Sequence, residues 1–318
     1  MTDELPAYAD LPPAPDGGRS GWDLFGAGDN LGLVNLMTPE RIAAAARLVR
    51  RGQVFCLDAP VGTFEPSLNL FRANPRHRVL HRAGTAGFDD LYDNFYPQAG
   101  SQWDSLAHVG YGPDRMYNGV TEAQVLAGER NTIDHWARHG VAGRAVLLDV
   151  ERAMREAERD YDPSRSAIGI DDLELARRQA GVEFAAGDII LLHTGFAAWY
   201  VQQRDRVKFA LHTDVAASGL AQSEEMCAYL WDSHAAAIAC DSYGVEVFPA
   251  DMSSKARPFG FLHNMLIGQF GMALGELWWL ADLARDCAAD GVYESFGVSA
   301  PMNAPGGIGS PANAVAIK

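Results

Sequence analysis

A chain of 318 residues that is 48% hydrophobic and 21% charged holds enough apolar material for a large core, in one domain or two, which argues against disorder. Its formal charge of −15, with basic clusters no longer than "RHRVLHR" (Arg76 to Arg82), argues against nucleic acid as a partner. The four cysteines, Cys56, Cys227, Cys240 and Cys287, form no C-x-x-C pair; neither a disulfide framework nor a cysteine zinc site is suggested, and a reducing cytoplasm fits.

The opening "MTDELPAYADLPPAPDGG" is acidic and proline-rich, without the basic start and apolar core of a signal peptide. Residues 1–20 read as a flexible or surface-hugging arm and 21–318 as the folded domain. No apolar run reaches membrane-spanning length, so no membrane partner is expected. "GAGDNLG" (Gly26 to Gly32) has one residue too many for a dinucleotide fingerprint and no apolar strand before it, so it reads as a turn and no nucleotide cofactor is expected. "MTPERIAAAARLVRRGQ" predicts the clearest helix, with Thr38 as N-cap, Pro39 at the first helical position and Gly52 as the stop.

Short apolar runs at "QVFCLDAP", "RAVLLDV" (Arg144 to Val150), "DIILLHT" (Asp188 to Thr194) and "AAIACD" (Ala236 to Asp241) predict strands buried on both faces. Helices are expected at "DDLELARRQAG" and "SEEMCAYLWDS", and as a pair within Phe261 to Asp290. The alternation predicts an α/β fold with a central sheet packed by helices. His77/His81 and His135/His139 have i, i+4 spacing, but arginines surround the first pair and the second closes an amphipathic helix, so both read as surface residues.

One stretch fits no helical pattern: "YPQAGSQWDSLAHVGYG" (Tyr96 to Gly112). In an extended segment, alternate residues share a face, so Gly100, Gln102 and Asp104 look one way while Ser101 and Trp103 look the other. A buried aspartate is costly unless paired or bound to a metal, and His108 is placed to be a ligand, a proton carrier or a hydrogen-bond partner. A structural Asp-His bond and a catalytic site are equally open on this segment alone.

The stretch resembles the signature of the metal-dependent cyclase-like hydrolase family, which includes bacterial kynurenine formamidases and isatin hydrolases: His-x-Gly-Thr-His-x-Asp-x-Pro-x-His. Gly100, Asp104 and His108 match; Gln98 and Gln102 stand where the two histidines belong, Ser101 replaces threonine and Leu106 replaces proline. The segment from Trp22 to Asp58, "GDIILLHTGF" and "GGIGSPANAVAI" look like parts of the family's longer-chain branch. "LHNMLIGQFGMALGELW" is similar to the late segment that places a histidine and a glutamate on the metal, here His263 and Glu276.

The resemblance implies a single domain of the swivelling β/β/α type with a mixed central sheet, assembled as a homodimer or homotetramer. It implies hydrolysis of an amide, lactam or lactone of a small cyclic or aromatic compound by metal-activated water. Family members hold two cations bridged by the aspartate. Here the first site has lost both imidazoles, and a glutamine carbonyl is a weak zinc ligand. The second keeps every donor, so one divalent ion (Mn, Zn or Mg) is expected on Asp104, His263 and Glu276. Gln98 and Gln102 would then orient substrate or an outer-shell water, and His108 would shuttle the proton beside Asp104. Trp103, Tyr111 and Tyr117 fit the wall of an apolar pocket or, more commonly, a core. His193 and His234, at strand ends, read as structural; Asp241 is placed to approach the site. The alternatives are a lyase or cyclase using His108 and Asp104 as acid and base, and a catalytically altered member that only binds ligand.

Overall fold

A computed structural model of the chain describes residues 5–318. Among these, the strands in chain order are β1 Val54–Cys56, β2 Arg76–His81, β3 Phe88–Asp93, β4 Gln102–Asp104, β5 Val141–Asp149, β6 Ala167–Ile168 and β7 Ile189–His193. They continue with β8 Gly219–Leu220, β9 Ala237–Cys240, β10 Ala273–Glu276, β11 Glu294–Ser299, β12 Gly309–Pro311 and β13 Ala314–Ile317. Nine of them form one mixed sheet in the order β1-β13-β11-β5-β7-β9-β10-β4-β12. Its centre, β5-β7-β9-β10, is parallel, and the flanks are antiparallel. Every residue of β7 and β9 is buried, which is why these strands read as unbroken apolar runs. The fold is the expected α/β arrangement, a mixed central sheet packed with helices.

The helix at Pro39–Ala46 starts as its cap predicts, with Thr38 Oγ1 accepting the Arg41 amide. It stops six residues before Gly52, because the amides of Arg51 and Gln53 turn to the Lys318 carbonyl and lead the chain into β1 beside β13. Helices Ile170–Ala180 and Glu224–Asp232 form where expected, the first ended by Gly181 at φ 65° and the second capped by Ser223. The pair expected in Phe261 to Asp290 is corrected: a short helix His263–Leu266 and a helix Ala281–Asp290 flank strand β10, which runs between β9 and β4.

Strands β2 and β3 form a hairpin apart from the main sheet. Its residues are exposed apart from a half-buried Leu91, and its charges pair across the strands, His77 with Asp90 at 2.9 Å and Arg78 with Asp93 at 2.8 Å. His77 and His81 thus lie on a strand, stacked against Tyr92 and tilted against Phe88 respectively. The described part of the N-terminal arm hugs the helix Glu224–Asp232: Trp231 donates to the Pro6 carbonyl, the Tyr8 amide donates to Asp232, and Tyr8 and Leu11 are buried. Tyr111 holds the same arm through its hydroxyl, 2.8 Å from the Gly17 carbonyl.

Candidate active site

The pairing of β4 and β10 builds the floor of the site. Glu276 lies directly opposite Gln102, so the two side chains share a face and Gln102 Nε2 donates to Glu276 Oε2 at 2.7 Å. Asp104, two residues on, points the same way and is wholly buried. Gly309 of β12 lies opposite Asp104; a Cβ there would stand 2.6 Å from Gln98 Cγ, so the glycine leaves the space that the Gln98 side chain fills. Gln98 Nε2 donates to Asp104 Oδ1 and to His108 Nδ1, the latter at 3.1 Å. A turn closed by the His108 amide on the Ser105 carbonyl brings that imidazole back, its Nε2 3.7 Å from Asp104 Oδ1.

His263 begins the short helix that precedes β10 and enters from above this floor. Its Nε2 lies 3.0 Å from Glu276 Oε1 and 3.9 Å from Asp104 Oδ2. Its Nδ1 lies 2.9 Å from Oε2 of Glu246, a wholly buried carboxylate in the loop after β9. Phe261 stacks on the ring at 4.4 Å. Burial opposes charge on His263, but Glu246 and Glu276 outweigh it and hold the imidazole well above its ordinary value. Burial and the neighbouring Asp104 raise Glu276 above the usual carboxylate range. His108 is shifted the other way: burial lowers it, and the charges of His263 and Arg72 add to that against the pull of Asp104.

A cavity of about 470 Å³ opens onto this cluster, lined among others by Arg72, His108, Tyr243, Phe261, His263 and Glu276. A larger one, about 660 Å³, is lined by Cys56, Val61, Tyr92, Phe95 and Tyr96 and touches none of these titratable groups, so the chemistry belongs to the smaller.

The residues singled out from the sequence divide accordingly. Asp104, His108, His263, Glu276, Gln98 and Gln102 come together. Both glutamine amides are engaged by protein groups, Gln102 Oε1 also accepting from Arg72 at 3.3 Å. Trp103 and Tyr117 do not join them. Trp103 faces the opposite side of β4, edge-on to Trp136 and Trp278, with its Nε1 on Ser299 Oγ at 2.8 Å; it is a core residue, as alternation along the strand requires. Tyr117 is fully buried with its hydroxyl on Asp29. Asp241 does not reach the cavity either, because its carboxylate accepts the amides of Thr194 and Gly195 at 2.6 and 2.9 Å. Arg72, Tyr243 and Glu246 were not foreseen; they sit in loops whose sequence carries no period, and only a histidine needing an orienting carboxylate hints at the last.

Asp104, His263 and Glu276 each offer one ligand atom, and these atoms lie within 4.8 Å of one another. Asp104 Oδ2 is buried without a hydrogen-bond partner among the described residues. An orphaned carboxylate oxygen, an imidazole oriented through its other nitrogen and a second carboxylate make a donor set that fits a divalent cation.

Sheet and site together define an α/β protein with a buried histidine-carboxylate centre, and comparison with known proteins agrees. Residues 56–247 match the family model described as "Putative cyclase", and the chain belongs to this cyclase family. A crystal structure of a novel cyclase is 29% identical, with a TM-score of 0.83 over 94% of this chain and 99% of that one. Isatin hydrolase A from Ralstonia solanacearum is 18% identical, with a TM-score of 0.58 over 88% of this chain and 97% of its own. Isatin hydrolase A from Labrenzia aggregata bound to benzyl benzoate is 13% identical, with a TM-score of 0.55 over 86% and 94%. The two isatin hydrolases share the fold. A search of curated proteins by sequence found no match.

Proposed function

We propose that the chain is a metal-dependent hydrolase that cleaves an amide, lactam or lactone of a small cyclic or aromatic compound. The observation that carries this reading is the unpartnered Asp104 Oδ2, set among His263 and Glu276 at a cavity that also contains His108. Asp104, His263 and Glu276 would hold one divalent ion, Mn, Zn or Mg. When bound, such an ion acidifies water and polarises a carbonyl.

The protein groups around it have separable tasks. Glu246 accepts from His263 Nδ1 and so aims Nε2 at the two carboxylates. Gln98 and Gln102 fix the rotamers of Asp104 and Glu276 by donating to them. His108, lowered by burial, is neutral at pH 7. Because Gln98 Nε2 donates to its Nδ1, its proton sits on Nε2. That Nε2–H is a donor for the substrate's carbonyl or leaving atom; for His108 to pass a proton on, Gln98 must first release Nδ1 so that it can take up the proton given off by the attacking water. Phe248 and Phe261 supply apolar wall for a ring.

The reading is tested by metal analysis of protein purified without chelator, wild type beside Asp104→Ala and His263→Ala, with turnover of aryl formamides, lactams and lactones. About one equivalent of metal in wild type, lost in both variants together with turnover, supports it. Wild type that takes up no Mn, Zn or Mg removes it and brings forward a lyase using His108 and Asp104. A small-molecule substrate, a cytoplasmic location and assembly as a homodimer or homotetramer belong to the same proposal. The exposed face of the β2-β3 hairpin, with Val79 and Phe88, supports the assembly. Among the described residues no helix is long and apolar enough to cross a membrane.

A further inference from the structure

The cavity contains a cation that the hydrolytic machinery leaves unused. Arg72 donates through Nη1 to the Gln98 carbonyl at 2.6 Å and to Gln102 Oε1 at 3.3 Å. Both acceptors are neutral. Two other half-buried arginines sit on carboxylates, Arg144 on Asp188 and Glu294, and Arg177 on Glu174 and Glu183, whereas Arg19 and Arg130, like Arg72, donate to neutral acceptors but line none of the site's cavity. Among the described residues Arg72 has no such ion pair, and its Nε and Nη2 have no hydrogen-bond partner. With Nη1 tied down, the edge left over is the side-on fork of Nε and Nη2, whose spacing matches the two oxygens of a carboxylate.

The surroundings agree with an anion at that edge. The charge of Arg72 acts on two cavity groups, adding to burial in lowering His108 and opposing burial at the Tyr243 hydroxyl. Asn69 Nδ2 donates to that hydroxyl at 3.2 Å, so the tyrosine's own proton remains to be given to a ligand. Asp214 lines the same cavity and, among the described residues, has no ion pair, so it repels an anion near it while Arg72 attracts one.

We propose that Arg72 forms a carboxylate-binding subsite, with Nε and Nη2 gripping the two oxygens and Tyr243 donating to one of them. The substrate is then a small cyclic or aromatic compound that carries a carboxylate besides the bond to be cleaved. The subsite is argued from the cavity alone. Its use for substrate rests on the hydrolase reading.

The test is equilibrium binding by calorimetry of three carboxylates, each beside its amide: benzoate and benzamide, phenylacetate and phenylacetamide, acetate and acetamide. It is run on metal-loaded protein and again after chelation, so that a carboxylate captured by the ion is told apart from one held by Arg72. Wild type is expected to bind at least one carboxylate tenfold or more tighter than its amide in both states. Arg72→Met should abolish that preference while amide binding stays within about twofold, and Arg72→Lys, which keeps charge but not the fork, should retain part of it. Arg72→Lys also covers a failure of Arg72→Met to fold. No preference for any carboxylate in wild type, a preference that vanishes on chelation, or one that survives Arg72→Met overturns the proposal. A protein that shows the preference yet hydrolyses nothing keeps the subsite and loses the hydrolase reading; a hydrolase indifferent to Arg72 does the reverse.

Discussion

Glu246 shows how much of a site can hang on one side chain that does not line its cavity. It is wholly buried, and its carboxylate lies within 3.0 Å of His263 Nδ1 through both oxygens. Glu246→Gln keeps the volume but replaces an ionic acceptor by a neutral one with a competing donor. Metal affinity, measured by competition with a chromogenic chelator, is expected to fall about 10- to 100-fold. An unchanged affinity would mean that His263 is oriented by Phe261 and the backbone alone. Trp103 gives the opposite prediction, because it shares β4 with Gln102 and Asp104 but faces the core. Trp103→Ala should cost about 3–5 kcal/mol in denaturant unfolding. Trp103→Phe, with much of the packing kept, should leave KM unaltered; a change in KM would return Trp103 to the substrate. At this scale the sequence was informative where a motif and strand alternation coincide, at Asp104, His108 and the two faces of β4. His263 and Glu276 were legible only through resemblance, since a histidine and a glutamate on apolar elements look like a core pair. Arg72, Tyr243 and Glu246 were illegible because loops bring them in from distant parts of the chain.

Among the elements, the buried strands β5, β7 and β9 announced themselves as short apolar runs, and the helix after Thr38 by its cap. Strand β10, between the two expected helices, was not foreseen for a related reason: four residues buried on every side show no period that separates strand from helix. What decides it is Gly275, which lies opposite Trp103; a Cβ there would stand 2.7 Å from the Trp278 indole nitrogen, so the close approach of core tryptophans needs this glycine in a strand. The hairpin was missed because its strands carry charge on both faces and pair with no strand of the main sheet. One face nevertheless aligns His77, Val79, His81, Phe88 and Tyr92, with Val79 62% and Phe88 67% exposed. If this face packs against a second copy, Val79→Asp with Phe88→Asp should lower the molar mass seen by light scattering. Subunit stability should stay within about 0.5 kcal/mol per substitution, as for surface positions. An unchanged mass would move the interface elsewhere.

At the scale of the whole molecule, the carboxyl ends of three central strands are joined by one buried ionic cluster. His193 ends β7; its Nδ1 lies 2.8 Å from Asp149 at the end of β5, and its Nε2 lies 3.7 Å from Asp241 just after β9. Burial alone would discharge the imidazole, yet Asp241 and Asp149 overcome it and raise His193 from 6.5 to about 9. A histidine raised on folding stabilises the native state fully below its unfolded value, and that stabilisation is lost as pH rises through the folded value. The window is therefore about pH 6.5 to 9, and the shift corresponds to roughly 3 kcal/mol across it. His193→Gln removes the titration and leaves Asp149 and Asp241 short of a cation, so the variant should be less stable than wild type by several kcal/mol at pH 6. Its deficit should shrink steadily towards pH 9.5, because wild type gives up its imidazolium while the variant has none to lose. Urea unfolding of both proteins, followed at half-unit intervals of pH, reads the difference directly and cancels contributions common to the two, that of any bound metal among them. A deficit that stays constant across the window would show that His193 is held neutral, and that the three strand ends are tied by hydrogen bonds rather than by charge.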